Sequence, residues 1–176
     1  MKDPVKIVLV GLPGSGKSTF GKKLALQLNF EFIDLDHLIE KETHQKIPHI
    51  FQSVGEGGFR ELETIYLKQV LSREAGFVLS TGGGTPCFND NMDLINKHAI
   101  SVYLDVALSE LHSRLKTDVT GKRPMFAGLD EAEMILKLKN LYAQRVLFYD
   151  QAKIKLSGED ISTELLISEL MVFFRS

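Results

Sequence analysis

The stretch Gly11-Leu-Pro-Gly-Ser-Gly-Lys17-Ser18 fits the pattern G-x-x-x-x-G-K-[ST], and its residue types suit one task, holding a run of phosphates. Glycines let the backbone N–H groups from Gly14 to Thr19 turn inward as an anion nest, and the N-terminus of a following helix adds partial positive charge. On this reading Gly14, Ser15, Gly16, Lys17, Ser18 and Thr19 bind a nucleoside triphosphate. Lys17 supplies a point charge to the β- and γ-phosphates, and Ser18 offers its hydroxyl to Mg²⁺. The pattern is specific only between a strand and a helix, and "VKIVLV" before it and "KSTFGKKLALQL" after it supply both.

A second group of residues could serve an acceptor. Asp34 and Asp36 in "FIDLDHL" are two apart at a strand end, a spacing that sends both side chains to the same side of a sheet. One could orient metal-bound water near Ser18 while the other takes a proton from an attacking hydroxyl; equally, the pair could cap the next helix. In "GEGGFRELE", Arg60 and Glu63 stand at i, i+3, where the acid can hold the guanidinium as a fork for a carboxylate or phosphate. An exposed helical ion pair has the same spacing. Gly82, Gly83 and Gly84 in "STGGGTP" follow a buried strand, and three glycines there imply that backbone comes very close to something, such as an acceptor lying in the crevice. Arg123 in "GKRPMF" stands in a segment from which it could swing over the phosphates and exclude water, with Lys116 at the segment's start. Arg145 in "YAQRVLFY" lies in an apolar helix, where a lone cation needs an anion, either a core acid or a bound carboxylate.

The elements that must position these residues alternate. Five β-rich runs, at 5–10, 30–34, 77–80, 100–104 and 153–157, are separated by amphipathic stretches, the pattern of an α/β protein with a parallel sheet covered on both faces. Helices are expected at 17–28, 36–42, 59–73, 90–97, 108–115, 131–149 and 161–174, the last with an apolar stripe of Leu166, Ile167, Leu170, Phe173 and Phe174. Residues 116–130 break the rhythm and read as a mobile loop. The 176 residues, 44% hydrophobic, suit one domain. A net charge of −2 with mixed signs offers no basic stripe for nucleic acid. No apolar run spans a bilayer, no signal peptide is legible, and a cytoplasmic location is expected. Cys87 is the only cysteine, which excludes an internal disulfide, and the five histidines lack metal-ligand spacing. A monomer is expected, since no extra apolar surface stands out.

A GTPase would carry an N/T-K-x-D segment after a later strand, which "SVYLDVALSE" lacks, and a motor or transport ATPase would close its third strand with an acid, where this chain has "VLSTGGG". A small kinase remains. Taken together, "GLPGSGKSTFGKKLA", "FIDLDHLIE", "IFQSVGEGGFRELE", "STGGG", "KRP" and "RVLFY" resemble the shikimate kinase family, in that family's order, over about the first 150 residues.

The resemblance implies a P-loop three-layer sandwich like that of nucleoside monophosphate kinases, with a five-stranded parallel sheet in order 2-3-1-4-5, a substrate-binding subdomain at about 34–63 and a lid at about 116–130. It implies transfer of the γ-phosphoryl of ATP to the 3-hydroxyl of shikimate, with Mg²⁺ on Ser18 and Asp34 in its outer shell. Asp36 would bind the shikimate hydroxyls and act as base, and Arg60 and Arg145 would clamp the carboxylate. Gly83, with Gly82 beside it, would donate N–H, Glu63 would orient Arg60, and Arg123 would be the lid arginine. Two departures stand out: "THQKIPHIF" lacks the family's usual glycine and serine before "IF", and "SGEDIS" lacks the arginine that some members place near adenine. The rivals are a gluconate or nucleoside-monophosphate kinase, for which "DLD", "FRELE" and "GGG" in this order are not expected, and a catalytically idle nucleotide sensor, against which Lys17, Asp36 and Arg123 argue.

Overall fold

The computed structural model describes residues 4–116, 124–126, 128–158 and 161–173. Its strands are β1 (Lys6–Val10), β2 (Glu31–Asp34), β3 (Phe77–Ser80), β4 (Ile100–Asp105) and β5 (Ile154–Ser157), within a residue or two of the expected runs. They form one parallel sheet in the order β2-β3-β1-β4-β5, as expected. The register places Leu9 and Asp34 opposite Ser80, so the carboxyl ends of β1, β2 and β3 open onto one crevice.

Alternation along β1 explains why it is central. Ile7 and Leu9 face one apolar layer, with Leu24 of α1 (Lys17–Leu28) and Leu166 and Leu170 of α7 (Thr163–Phe173). Val8 and Val10 face the other, with Ile39 of α2 (Leu35–Thr43), Leu67 of α3 (Ile47–Leu71), Ile95 of α4 (Asn91–His98), Leu111 of α5 (Leu108–Lys116) and Leu138 of α6 (Glu131–Tyr149). A strand buried on both faces must be apolar at every position, as "KIVLV" nearly is.

The apolar stripe of α7 is narrower than expected. Leu166 and Leu170 are buried, but Phe173 in the helix's final turn is 39% exposed, and Phe174 lies outside the described residues.

α3 corrects the sequence reading most. It begins at Ile47, twelve residues before the helix expected at 59, and kinks at Gly55 (φ 71°, ψ −176°). The early start follows from Pro48 in the first turn, which presets a helical φ. The unusual "THQKIPH" is anchored: His44 closes α2 in a left-handed conformation, while Glu40 accepts from Lys46 Nζ (2.7 Å) and the Ile47 amide (3.1 Å). Within 116–130, Lys116 ends α5, Phe126 is buried in the core from a 3₁₀ turn at Pro124–Phe126, and Asp130 starts α6 with a capping box to Glu133. Residues 117–123, Arg123 included, and residue 127 lie outside the described residues.

The kink at Gly55 lies in a region of backbone space that is essentially glycine's alone, and nothing stands within 4 Å of a Cβ built there. The cost of Gly55→Ala is therefore conformational, about 1–3 kcal/mol, read as a lower denaturation midpoint with an unchanged m-value. An unaltered midpoint would show that the kink relaxes freely.

Candidate active site

The loop between β1 and α1 returns on itself through the Ser15 amide, which donates to Leu12 O (3.2 Å), and Gly16 caps α1 in a left-handed conformation. Lys17 is buried and folded over the loop, its Nζ donating to Gly11 O (2.8 Å) and Leu12 O (3.0 Å). These carbonyls fix the ammonium over the loop, and its charge pulls the Asp36 carboxyl downward. Arg114 on α5, unremarked in sequence, braces the loop: its Nη1 donates to Ser15 O (3.2 Å) and Gly14 O (3.4 Å) while Nη2 donates to Glu110 (2.6 Å). The i, i+4 pair Glu110/Arg114 was the only signal available in the sequence.

Ser18 Oγ donates to Asp34 Oδ2 (2.7 Å) and lies 3.2 Å from Ser80 Oγ. The same Asp34 carboxylate accepts from the His37 amide (3.2 Å) and so caps α2, which makes the two alternatives for this residue compatible. Asp36 does not share the strand with Asp34. β2 ends at Asp34 and Asp36 stands in the first turn of α2, because the helix begins at Leu35. The two still meet electrostatically. Burial, then Glu63, then Asp34 push the half-buried Asp36 up to about 7, against the opposing pull of Lys17 and Arg60.

Arg60 and Glu63 are not an exposed helical pair: their side chains are 12% and 1% exposed. Arg60 Nη1 donates to Glu63 Oε2 (2.6 Å) and Nη2 to Glu56 Oε1 (3.0 Å), while its buried Nε has no partner. Its guanidinium carbon sits 4.3 Å from the centroid of the Phe88 ring, a cation–π contact that sequence reading missed. The other oxygen of Glu63 accepts from the Thr85 hydroxyl, which ties α3 to the glycine turn.

The three glycines have separate neighbours. A Cβ on Gly82 would meet Glu63 Oε1 at 2.9 Å and Asp36 Oδ1 at 3.1 Å; on Gly83, Pro13 Cδ at 2.8 Å and Arg145 Nη1 at 3.2 Å; on Gly84, Arg60 Nη1 at 2.6 Å. The close approach expected of this turn is thus to the side chains of the site itself and to the phosphate loop. Arg145 on α6 is half-buried beside Gly83, and among the described residues no carboxylate pairs with it. Tyr149, one turn further on, donates its hydroxyl to Gly83 O; burial pushes that hydroxyl's pKa up, with Arg145 opposing. Burial also pushes the Cys87 thiol up to about 11, so it is protonated and unreactive at neutral pH. Lys116 Nζ points away to Glu131 (3.3 Å) on the surface.

A parallel 2-3-1-4-5 sheet whose phosphate loop abuts a turn flanked by two arginines and a perturbed carboxyl defines a P-loop kinase for a small anionic acceptor. Residues 13–174 match the family model for shikimate kinase. A shikimate kinase from Sulfurihydrogenibium sp. is 39% identical over 165 residues, 94% of this chain and 95% of that protein. The crystal structure of shikimate kinase from Bacteroides thetaiotaomicron superposes with a TM-score of 0.87 at 36% identity, covering 98% of this chain and 99% of that one. That of shikimate kinase from Acinetobacter baumannii in complex with shikimate gives 0.81 at 32% identity, covering 97% and 93%. The chain belongs to the shikimate kinase family.

Gly83 separates the two halves of the cleft, so Gly83→Ala should wedge the turn away from Pro13 and displace Arg145. A displacement of that size costs on the order of 10²-fold in kcat/KM, with the melting temperature shifted by only a few degrees. Wild-type turnover from the alanine variant would refute the tight approach.

Proposed function

We propose that this chain transfers the γ-phosphoryl group of ATP to the 3-hydroxyl of shikimate, giving shikimate 3-phosphate and ADP. The observation that carries the reading is the juxtaposition at Gly83: on one side Pro13 of the phosphate loop, on the other Arg145, with Arg60 against the next glycine and Asp36 against the previous one. The relative from A. baumannii was solved with shikimate, which makes a carboxylate-bearing cyclic alcohol the natural acceptor here.

In this mechanism Arg60 and Arg145 take the acceptor's carboxylate, while Asp36 and the N–H groups of Gly82 and Gly83 take its hydroxyls. The acceptor oxygen attacks the γ-phosphorus, its proton passes to Asp36, and the bond to the β–γ bridging oxygen breaks as ADP leaves. Lys17 and the amides from Gly14 to Thr19 hold the phosphates in line, and Arg123 closes over them as the lid arginine. The Ser18 hydroxyl, with the Asp34 carboxylate 2.7 Å away, is the hard-oxygen donor set that suits Mg²⁺. When bound there, that ion offsets phosphate charge. Every contact proposed comes from one chain, so a monomer suffices.

The assignment is tested by coupled ADP release with ATP and Mg²⁺ plus shikimate, gluconate or AMP. Only shikimate should stimulate it; equal release with and without shikimate would overturn the assignment.

Asp36 gives an independent check, since a base must be ionised. With both substrates below saturation, the rate should fall tenfold per pH unit below about 7, and Asp36→Asn should remove turnover. Because the folded pKa lies above the unfolded value of 3.8, the fold binds the proton more tightly, and stability from this group declines as pH rises from about 4 to 7. Asp36→Asn should therefore melt higher than the parent at pH 8. An ascending limb at pH 4–5, together with an unchanged melting temperature, would contradict the raised value.

A further inference from the structure

Three carboxylates crowd the acceptor side of the cleft, and the mechanism uses only two of them. Asp36 is the proposed base and Glu63 holds Arg60 from within the core. The third, Glu56, has no part in the chemistry, yet its Oε1 accepts from Arg60 Nη2 at 3.0 Å. Glu56 is 63% exposed at the side chain, whereas Arg60 is 12% exposed. It follows directly on the Gly55 kink, at the start of the helical stretch that carries Arg60 one turn later.

The kink therefore sets a solvent-exposed carboxylate at the mouth of a largely buried cation. Glu63 takes Nη1, Glu56 takes Nη2, and Nε is left unpaired. Gly84 lies so close to the guanidinium that a methyl there would collide with it, and Phe88 stands 4.3 Å from its carbon, so the fork has little room to turn toward a new partner. Nε–H and a second N–H on each Nη remain available, but of the two N–H groups already given to carboxylates only the one on Nη2 is held by an exposed residue, so a ligand carboxylate that takes it exchanges with Glu56 and not with Glu63.

We propose that Glu56 is an affinity-setting residue: a resident carboxylate that holds Arg60 in its binding orientation and is exchanged for the carboxylate of the acceptor. The inference rests on Arg60 as the acceptor's carboxylate clamp. Its energetic sense follows from exposure. Buried Glu63 is not displaceable, because leaving it unpaired in the core is costly, while Glu56 can return to water. With Glu56 in place, the charge beside Gly84 is one cation against two carboxylates, and each acceptor that binds must overcome the outer one. Removing its charge raises the local positive potential and tightens acceptor binding. Affinity for ATP does not change, since Glu56 bonds to none of the phosphate-loop residues among the described residues.

The experiment is a double-mutant cycle on Glu56→Gln and Arg60→Ala, read by calorimetric titration of shikimate and by steady-state kinetics. Glu56→Gln keeps size and hydrogen-bonding capacity and should lower the shikimate Kd and KM about two- to fivefold, the range of an exposed ion pair. The KM for ATP and kcat should stay within twofold of wild type. Arg60→Ala should raise the shikimate Kd strongly, and in that background Glu56→Gln should have no effect. If Arg60→Ala weakens shikimate but Glu56→Gln weakens it too or leaves it unchanged, the exchange is refuted and the clamp stands. If Arg60→Ala leaves shikimate binding intact, the clamp itself fails and the exchange falls with it.

Discussion

The carboxylate of Glu63 is the point on which the acceptor side of the cleft is built. It is 1% exposed, and each oxygen has a charged or hydroxyl partner from a different part of the chain, Arg60 on its own helix and Thr85 beyond the glycine turn. Removing one partner of such a buried pair costs about 3–5 kcal/mol, more than the pair contributes against an apolar replacement. Its retention makes sense as geometry. A carboxylate fixed in the core fixes the guanidinium, and the guanidinium lies against Gly84. One buried ion pair thereby sets the position of α3 relative to β3 and the turn that follows it.

The same arrangement explains the behaviour of Asp36. Glu63 is anchored by Arg60 and cannot move away, so it repels Asp36 from a fixed position across Gly82. Burial adds to that repulsion, and Lys17 and Arg60 only partly offset it. A carboxyl poised near neutrality at the carboxyl end of a parallel sheet is therefore a consequence of holding an arginine in place with a second acid. Structural and chemical roles are joined through one Coulombic coupling, which is why the fold tolerates a destabilising carboxyl in its cleft.

Much of this was legible in sequence, for physical reasons that differ between parts. The sheet order followed from the family likeness, while strands β1 and β3 were visible because burial on both faces demands unbroken apolar runs. Helix α6 coincides with the expected 131–149, and in the structure the capping box of Asp130 with Glu133 fixes where it starts. The first part of α3 is hidden in sequence because Gly55 and its neighbouring glycines interrupt the pattern, whereas in the structure Pro48 presets the first turn and Ile50 packs in the core. Asp36 was assigned to a strand end because period-two spacing cannot reveal that Asp34 caps a helix starting at once. The triple glycine announced a close approach but not its partners, since Pro13, Arg145 and Arg60 come from three distant stretches. Phe88 and Tyr149 left no sequence signal of their own, and Arg114 only its i, i+4 spacing from Glu110. Each acts through a contact with a distant backbone or side chain.

The end of β3 shows how charge economy shapes such a cleft. Many phosphate-loop proteins place an acid there, whereas this chain has Ser80, 2% exposed and opposite Asp34 in the sheet register. Asp34 already accepts from Ser18 at 2.7 Å, and Asp36 and Glu63 lie just beyond, so a carboxylate at position 80 would be a fourth acid around a single serine hydroxyl and one buried lysine. Two carboxylates sharing so confined a site cannot both remain ionised without a strong compensating cation. A neutral hydroxyl avoids that repulsion while keeping an oxygen 3.2 Å from Ser18 Oγ. The acid beside Ser18 has in effect moved one strand outward, from β3 to β2, where capping α2 gives its second oxygen a partner. That shift leaves room for Asp36 to be tuned by its neighbours rather than overwhelmed by them.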